Sequence, residues 1–298
     1  MIVYGMDTVV FYQIGSVIVS IEACKSLDLW NTWKWKIDPY RISLPVPECD
    51  LSVSLSVVED EWIPQDLLWE KQAGFFNSRV FSTSDGRTLW EYFRIKNNEV
   101  ILRYTTSSLW DRISLLQDHS KTSGHLAFEY LGQMIQGPFL KHGILTFHGV
   151  LMEHQGHGII ISASSGTGKT THARLWRDYR NALIINGDRT SCYVKDGTWT
   201  GFGLPWSGTS GEQINRSVPL KAFVVLERGS QNEAHRIMDL EAFGAVLPHL
   251  QYPAWNREMT NKAMGMLDQF LHTIPVIRLR CRPELEAVHV LYKSLEEL

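Results

Sequence analysis

Ile159-Ile160-Ile161-Ser162-Ala163-Ser164-Ser165-Gly166-Thr167-Gly168-Lys169-Thr170-Thr171 is the stretch on which the reading of this chain turns. Three consecutive β-branched residues favour extended backbone. Two closely spaced glycines then permit a tight loop, and a helix start follows at Lys169. Consecutive backbone N–H groups in such a loop can converge on a polyphosphate, and a helix start adds unpaired N–H groups with the positive end of the dipole. The Lys169 ammonium can reach the β- and γ-phosphates, and the Thr170 hydroxyl can ligate Mg²⁺. Ser164, Ser165, Gly166, Thr167, Gly168, Lys169, Thr170 and Thr171 are therefore the expected nucleotide-binding residues, with ATP and Mg²⁺ as cofactors. The general pattern begins with glycine where this chain has Ala163. A methyl group fits there if the backbone keeps a negative φ. A plain glycine-rich turn with a solvated lysine leaves one thing unexplained: a cation in the first helical turn opposes the helix dipole unless an anion sits there too.

The 298 residues suffice for one large or two ordinary domains. A hydrophobic content of 44% and a charged content of 20% describe a globular protein with a sizeable core. The net charge of −3 and the lack of a Lys/Arg block give no electrostatic case for nucleic acid. No apolar run has membrane-spanning length, and no secretory signal pattern opens the chain, so a cytoplasmic location away from membranes is expected. Cys24, Cys49, Cys192 and Cys281 lack metal-ligand spacing and read as reduced structural thiols.

Two domains are expected, a β-rich domain over 1–120 and an α/β P-loop domain with a mixed sheet over 121–298. In the first, Ser16–Ile21, Leu51–Val58, Arg79–Thr83, Leu89–Ile95 and Glu99–Thr105 alternate apolar and polar residues, with turns at Asp85-Gly86 and Asn97-Asn98. It also holds Trp30, Trp33, Trp35, Trp62, Trp69, Trp90 and Trp110, which read either as core aromatics or as a groove for an extended peptide. The second domain predicts a helix over His125–Leu140, strands at Ile144–His148, Val150–Glu153 and Gly158–Ser162, then the loop and helix Lys169–Tyr179. Strands follow at Ala182–Asn186, Ser191–Val194, Thr198–Phe202, Leu220–Leu226 and Pro275–Cys281, with helices at Leu240–His249, Glu258–His272 and Pro283–Leu298.

A phosphate loop calls for a nearby carboxylate. Asp188 follows the buried-type strand Ala182–Asn186, at the carboxyl end where ligands lie in open α/β sheets. It can hold Mg²⁺ or take the proton of an attacking hydroxyl. His148 ends the apolar run Ile144–Phe147 and has the ordinary imidazole pKa suited to proton work. The segment Gly201–Gln213 reads as an ordered loop offering N–H groups, hydroxyls and the Glu212 carboxylate. Arg189 and Arg216 can clamp phosphate, although for each a surface ion pair is the plainer reading.

Taken together, Phe147-His148-Gly149-Val150, the turn Gly156–Gly158, the loop Ser164–Thr170, Ile184–Arg189 and the spacing from Pro205 to Glu212 resemble the HPr kinase/phosphorylase family, whose fold is related to phosphoenolpyruvate carboxykinase. The resemblance runs from about Leu145 to the C-terminus. More narrowly, the Ile185–Arg189 and Gly203–Glu212 runs look like HPr-kinase-like proteins that modify ribosomally made peptides, lasso-peptide kinases among them. It implies catalytic roles for Asp188, His148 and Lys169, and metal ligands from Thr170, Glu212 and Asp188. Gly187 stands where the family usually carries a first Asp, which leaves two assignments open. Either Asp188 is the base while Thr170 and Glu212 hold Mg²⁺, or Asp188 holds the metal and His148 takes the proton.

The expected activity is ATP- and Mg²⁺-dependent transfer of the γ-phosphate to a Ser or Thr hydroxyl of a peptide or small protein. The family often forms homo-oligomers, though no motif here specifies an interface. Two alternatives stand beside it: a small-molecule kinase or carboxykinase-like enzyme, and a nucleotide-gated peptide-binding module that transfers nothing.

Overall fold

Side-chain alternation shapes the first part of the chain into one sheet. The computed structural model describes residues 8–23, 29–43, 48–56, 63–73, 76–116 and 124–298. Contacts divide the chain into two units, Met1–Lys141 and His142–Leu298. The first unit contains β1 (Thr8–Ile14), β2 (Val17–Ala23), β3 (Leu51–Ser56), β4 (Pro64–Ala73), β5 (Phe76–Thr83), β6 (Thr88–Arg94), β7 (Val100–Thr106) and β8 (Arg112–Leu116). They form an eight-stranded mixed sheet in the order β1-β2-β3-β8-β7-β6-β5-β4. The alternating runs map onto β2, β3, β5, β6 and β7, with Ser16, Ile95 and Glu99 just outside the strand ends, and both expected turns join antiparallel neighbours. Val57, Val58 and Cys24 lie outside the described residues.

The β-rich reading overlooks α1 (Leu29–Ile37), whose Trp33 and Ile37 are buried. It also stops short of α2 (Gly124–Met134) and α3 (Gln136–Lys141), which replace the single expected helix. Pro138 explains the break, because its ring cannot follow the carbonyl of Met134 in a continuous helix. Both short helices belong to the first unit. The Trp33 indole donates to the Gly124 carbonyl at 2.5 Å and lies 5.2 Å from the Phe128 ring, and Lys36 pairs with Glu129 at 2.9 Å. The chain therefore divides at 141/142 rather than 120/121. Of the tryptophans, Trp33, Trp90 and Trp110 are buried, Trp69 meets Trp90 edge-on, and Trp35 is exposed. The side chains of Trp30 and Trp62 lie outside the described residues.

The second unit runs β9 (Leu145–His154), β10 (His157–Ser162), α4 (Lys169–Arg180), β11 (Leu183–Asn186), β12 (Arg189–Lys195), β13 (Thr198–Phe202), β14 (Ser217–Arg228), β15 (Glu233–Ile237), α5 (Asp239–Val246), β16 (Leu250–Gln251), α6 (Arg257–Thr273), β17 (Val276–Cys281) and α7 (Leu285–Glu296). Its nine strands form a mixed sheet. Two long strands organise it. β9 pairs with β12 and β16 through its first half and with β10 and β11 through its second. β14 pairs with β13 first and then runs parallel to β10 and β17. The strands expected at Ile144–His148 and Val150–Glu153 are thus one strand. Gly149 carries the ladder through, its N–H donating to the Asp188 carbonyl at 2.9 Å.

Helix α4 buries Lys169, His172, Ala173 and Trp176, the i, i+3, i+4, i+7 stripe of a helix lying on a core. Trp176 packs among Met152, Ile159, Ile161, Val224 and Ile277. Truncation of so large a buried ring costs about 3–5 kcal/mol. This packing fixes the helix start relative to the end of β10. The helix expected over Leu240–His249 stops at Val246 and tightens into a 3-10 turn through Pro248. No helix among the described residues is long and apolar enough to cross a membrane.

Candidate phosphate-binding site

The loop between β10 and α4 has the geometry its residue types require. Gly166 and Gly168 take φ of 74° and 118°, a region that side chains avoid. Ala163 is buried and is not among the residues with positive φ, so its methyl is accommodated. No side chain caps α4, so its first N–H groups remain available for an anion. Lys169 is buried, and its Nζ donates to the Ala163 carbonyl at 3.1 Å. Burial lowers its pKa, and the Asp188 charge partly offsets this. A desolvated ammonium across the mouth of such a loop is poised for a phosphate oxygen.

Asp188 is held from both sides. Asn186, fully buried at the end of β11, accepts from the N–H groups of Asp188 and Arg189 through Oδ1, at 3.0 and 2.9 Å. Its Nδ2 donates to the carbonyls of Leu204 and Trp206 at 2.9 and 3.1 Å. One amide therefore ties the Asp188 turn to the 203–213 segment. Gly208, at φ 54°, lies flat against the Asp188 carboxylate, and a Cβ there would sit 2.5 Å from Oδ2. The His148 Nδ1 lies 3.6 Å from Asp188 Oδ1, and the Arg189 Nε is 3.9 Å from Oδ2. Strand register aligns Arg189 with His148. Burial chiefly, then the Lys169 charge, lowers the His148 pKa against the pull of Asp188, so the imidazole is neutral at pH 7.

His249 was not anticipated from sequence. The 3-10 turn delivers it to β16, whose Leu250 pairs with Phe147, placing His249 at the register position of His148. Burial first, then the Lys169 charge and the neighbouring titratable His148, push its pKa down to about 4. A helical reading of Leu240–His249 hid it. Pro248 was the available signal.

Among the expected residues, the structure brings His148, Lys169 and Asp188 into one electrostatic cluster. Glu212 has other partners: the Arg177 Nη1 meets its Oε1 at 3.1 Å, and the Arg174 Nη2 lies 3.7 Å from Oε2. Its backbone carbonyl accepts from Gly187. The absent first acid also has a structural counterpart, because a Cβ at Gly187 would fall 2.3 Å from the Ser210 Oγ. Arg216 forms a two-point pair with Glu153, in line with the plainer reading of that residue. The 201–213 segment is ordered, with Phe202, Leu204 and Trp206 buried.

Among the described residues, no group of three or more His, Cys, Asp or Glu is placed to hold a metal. Mg²⁺ does not need one, since it is commonly bound through one or two carboxylates together with substrate phosphates and water. The oxygen types of Asp188 and Thr170 suit such a set. Glu212, neutralised by two guanidinium groups, does not.

A search among curated proteins gives no match. Among solved structures, the HPr(Ser) kinase/phosphatase from Coxiella burnetii aligns with 9% identity and a TM-score of 0.32, over 51% of this chain and 88% of that one. The family model of the SynChlorMet cassette protein ScmC matches residues 116–281, more than half of the chain. The protein therefore belongs to the ScmC family.

Proposed function

We propose that the chain is an ATP- and Mg²⁺-dependent phosphotransferase that delivers the γ-phosphate to a Ser or Thr hydroxyl of a peptide or small protein. The observation that carries this reading is the buried Lys169 ammonium at the glycine loop, with Asp188 and neutral His148 beside it. Loop amides and Lys169 would hold the polyphosphate, and Thr170 with Asp188 would supply protein oxygens to Mg²⁺. The metal bridges phosphate oxygens and offsets the charge that develops there. His148, unprotonated at pH 7, would accept the proton of the acceptor hydroxyl. Asp188, 3.6 Å away, favours the imidazolium that results. Of the two assignments the sequence leaves open, the Glu212 ion pairs support this one.

Transfer is read directly as a mass increase of one phosphate on a serine-containing peptide incubated with the chain, ATP and Mg²⁺. Lys169→Ala should stay folded and lose on the order of a hundredfold or more in rate. Near-normal turnover in that variant overturns the assignment. Ser210 occupying the space where the first acid's side chain would start at Gly187 supports a second reading, a nucleotide-gated peptide binder. Tight peptide binding that depends on ATP and leaves the peptide mass unchanged would select it.

A further inference from the structure

The eight-stranded sheet of the first unit ends in two unlike edges. At one end, Tyr12 of β1 bridges to Arg41, and the Ile42 N–H donates to the Phe11 carbonyl at 3.0 Å, so a returning segment covers that strand. At the other end stands β4, ten residues long and paired only with β5 among the described residues. Such an edge offers a row of main-chain N–H and C=O groups to another strand. Folded proteins commonly blunt an edge by short length or by charge, yet Ile63, Leu67 and Leu68 are all exposed here. The two register irregularities of β4 lie between Pro64 and Trp69, and from Trp69 to Ala73 the pairing is regular.

That regular stretch carries an unfinished charge pattern. Register sets Glu70, Arg79, Glu91 and Arg103 opposite one another across β4, β5, β6 and β7, alternating in sign. The Arg103 Nε meets the Glu91 Oε1 at 2.9 Å. The Arg79 guanidinium lies instead over the Phe93 ring, 3.7 Å from its centroid. Glu70 is exposed at the open end of the row, with no ion-pair partner among the described residues. Lys71 is exposed and without an ion-pair partner in the same sense, and it lies on the other face of the sheet together with the half-buried Trp69. A strand added along β4 would therefore meet an aromatic ring, a carboxylate and an ammonium at three successive positions. Opposite charges that face each other across a ladder stabilise it, and like charges weaken it. A second copy of β4 does not complete the pattern. Two-fold pairing of identical strands keeps every side chain on its own face, and Lys71, the one cation of the strand, is on the wrong face for Glu70.

We propose that β4 is the docking edge for the acceptor peptide, which adds as an antiparallel strand and reads acidic, basic, apolar in the N-to-C direction opposite Lys71, Glu70 and Trp69. Main-chain hydrogen bonds would supply affinity, and the three side chains would fix the register. The inference rests on the peptide-acceptor reading above and names the part of the acceptor held away from the reacting hydroxyl.

The probe is a fluorescein-labelled blocked peptide, Thr-Val-Thr-Glu-Lys-Val-Thr-Val-Thr, titrated with the full chain by anisotropy in the absence of nucleotide. It should bind, and the isomer with Glu and Lys exchanged should bind at least about fivefold more weakly. The two peptides share composition and net charge, so general electrostatic attraction does not separate them. Combining Glu70→Lys with Lys71→Glu, both at exposed positions, should invert the preference. Methylating one alternate set of peptide backbone nitrogens should abolish binding, and methylating the other set should leave it, because alternate residues of an added strand face the sheet. Equal binding of the isomers, an unchanged preference in the double variant, or no binding of either peptide overturns the proposal. So does self-association of the chain that the double variant abolishes, which would make the edge an interface between copies. Phosphate transfer to a serine peptide at a rate indifferent to the double variant, with no pattern-dependent binding, removes the dock and leaves the transferase reading standing. Pattern-dependent binding with no transfer under ATP and Mg²⁺ supports the dock and removes the transferase reading.

Discussion

Asp188 and Glu212 sit on adjoining segments, joined by the hydrogen bond from the Gly187 N–H to the Glu212 carbonyl, yet their surroundings differ in kind. Asp188 faces a buried ammonium and a neutral imidazole, and its turn is pinned by one buried amide. Glu212 faces Arg174 and Arg177 on the solvent side of α4, where the partners are half-exposed. In the proposed reaction, a carboxylate whose neighbouring ammonium also meets a phosphate can change partners. One satisfied by two guanidinium groups serves mainly to dock a loop against a helix. Residue type alone does not separate these roles. The neighbouring cations do.

The largest expected effect is at the first carboxylate. Asp188→Asn should lower the rate of phosphate transfer to peptide by a hundredfold or more, with the fold retained by circular dichroism. A loss below tenfold would mean that Asp188 is not the reactive acid of the pair. Next comes the glycine beneath it. Gly208→Ala places a methyl against Oδ2 and forces a side chain into positive φ. Stability should fall by about 1–2 kcal/mol in denaturant titration, and turnover by on the order of tenfold to a hundredfold as the carboxylate is pushed aside. Unchanged kinetics would show that the position of Asp188 is not critical. The smallest effect belongs to Glu212→Gln, where turnover should stay within about threefold and stability within about 1 kcal/mol, as for exposed ion pairs. A hundredfold loss of rate, recovered at high Mg²⁺, would erase the contrast and restore Glu212 as a metal ligand.

The sequence disclosed those parts of the site in which local chemistry restricts residue type. A lysine after Gly-x-Gly, following a β-branched strand, makes little electrostatic sense at a helix start without an anion, and Asp188 at a strand end follows from sheet geometry. It did not disclose what depends on long-range register. His249 reaches the cluster only because two residues after it pair with β9, a contact of far-separated segments. The arginines on Glu212 lie more than thirty residues away from it in the chain. Continuity of β9 through Gly149 was obscured because glycine usually signals a break, whereas here it lets the strand pass close to the Ile161 carbonyl. In the first unit, the hairpins were readable from alternation and turn residues. Helix α1 was not, because its tryptophans and lysines fit a strand nearly as well as a helix.

Asn186 has a consequence for how sequences of this fold can diverge. Its amide grips two main-chain carbonyls and two main-chain N–H groups, atoms that almost every amino acid offers. Positions 188 and 189 are thus registered against 204 and 206 without any demand on the side chains at the two latter sites from this clasp. Drift at 204 and 206 is permitted so far as packing allows, whereas replacing the one asparagine releases four anchors together. An alignment of relatives should show a fixed point facing a tolerant pair, rather than compensating exchanges between them.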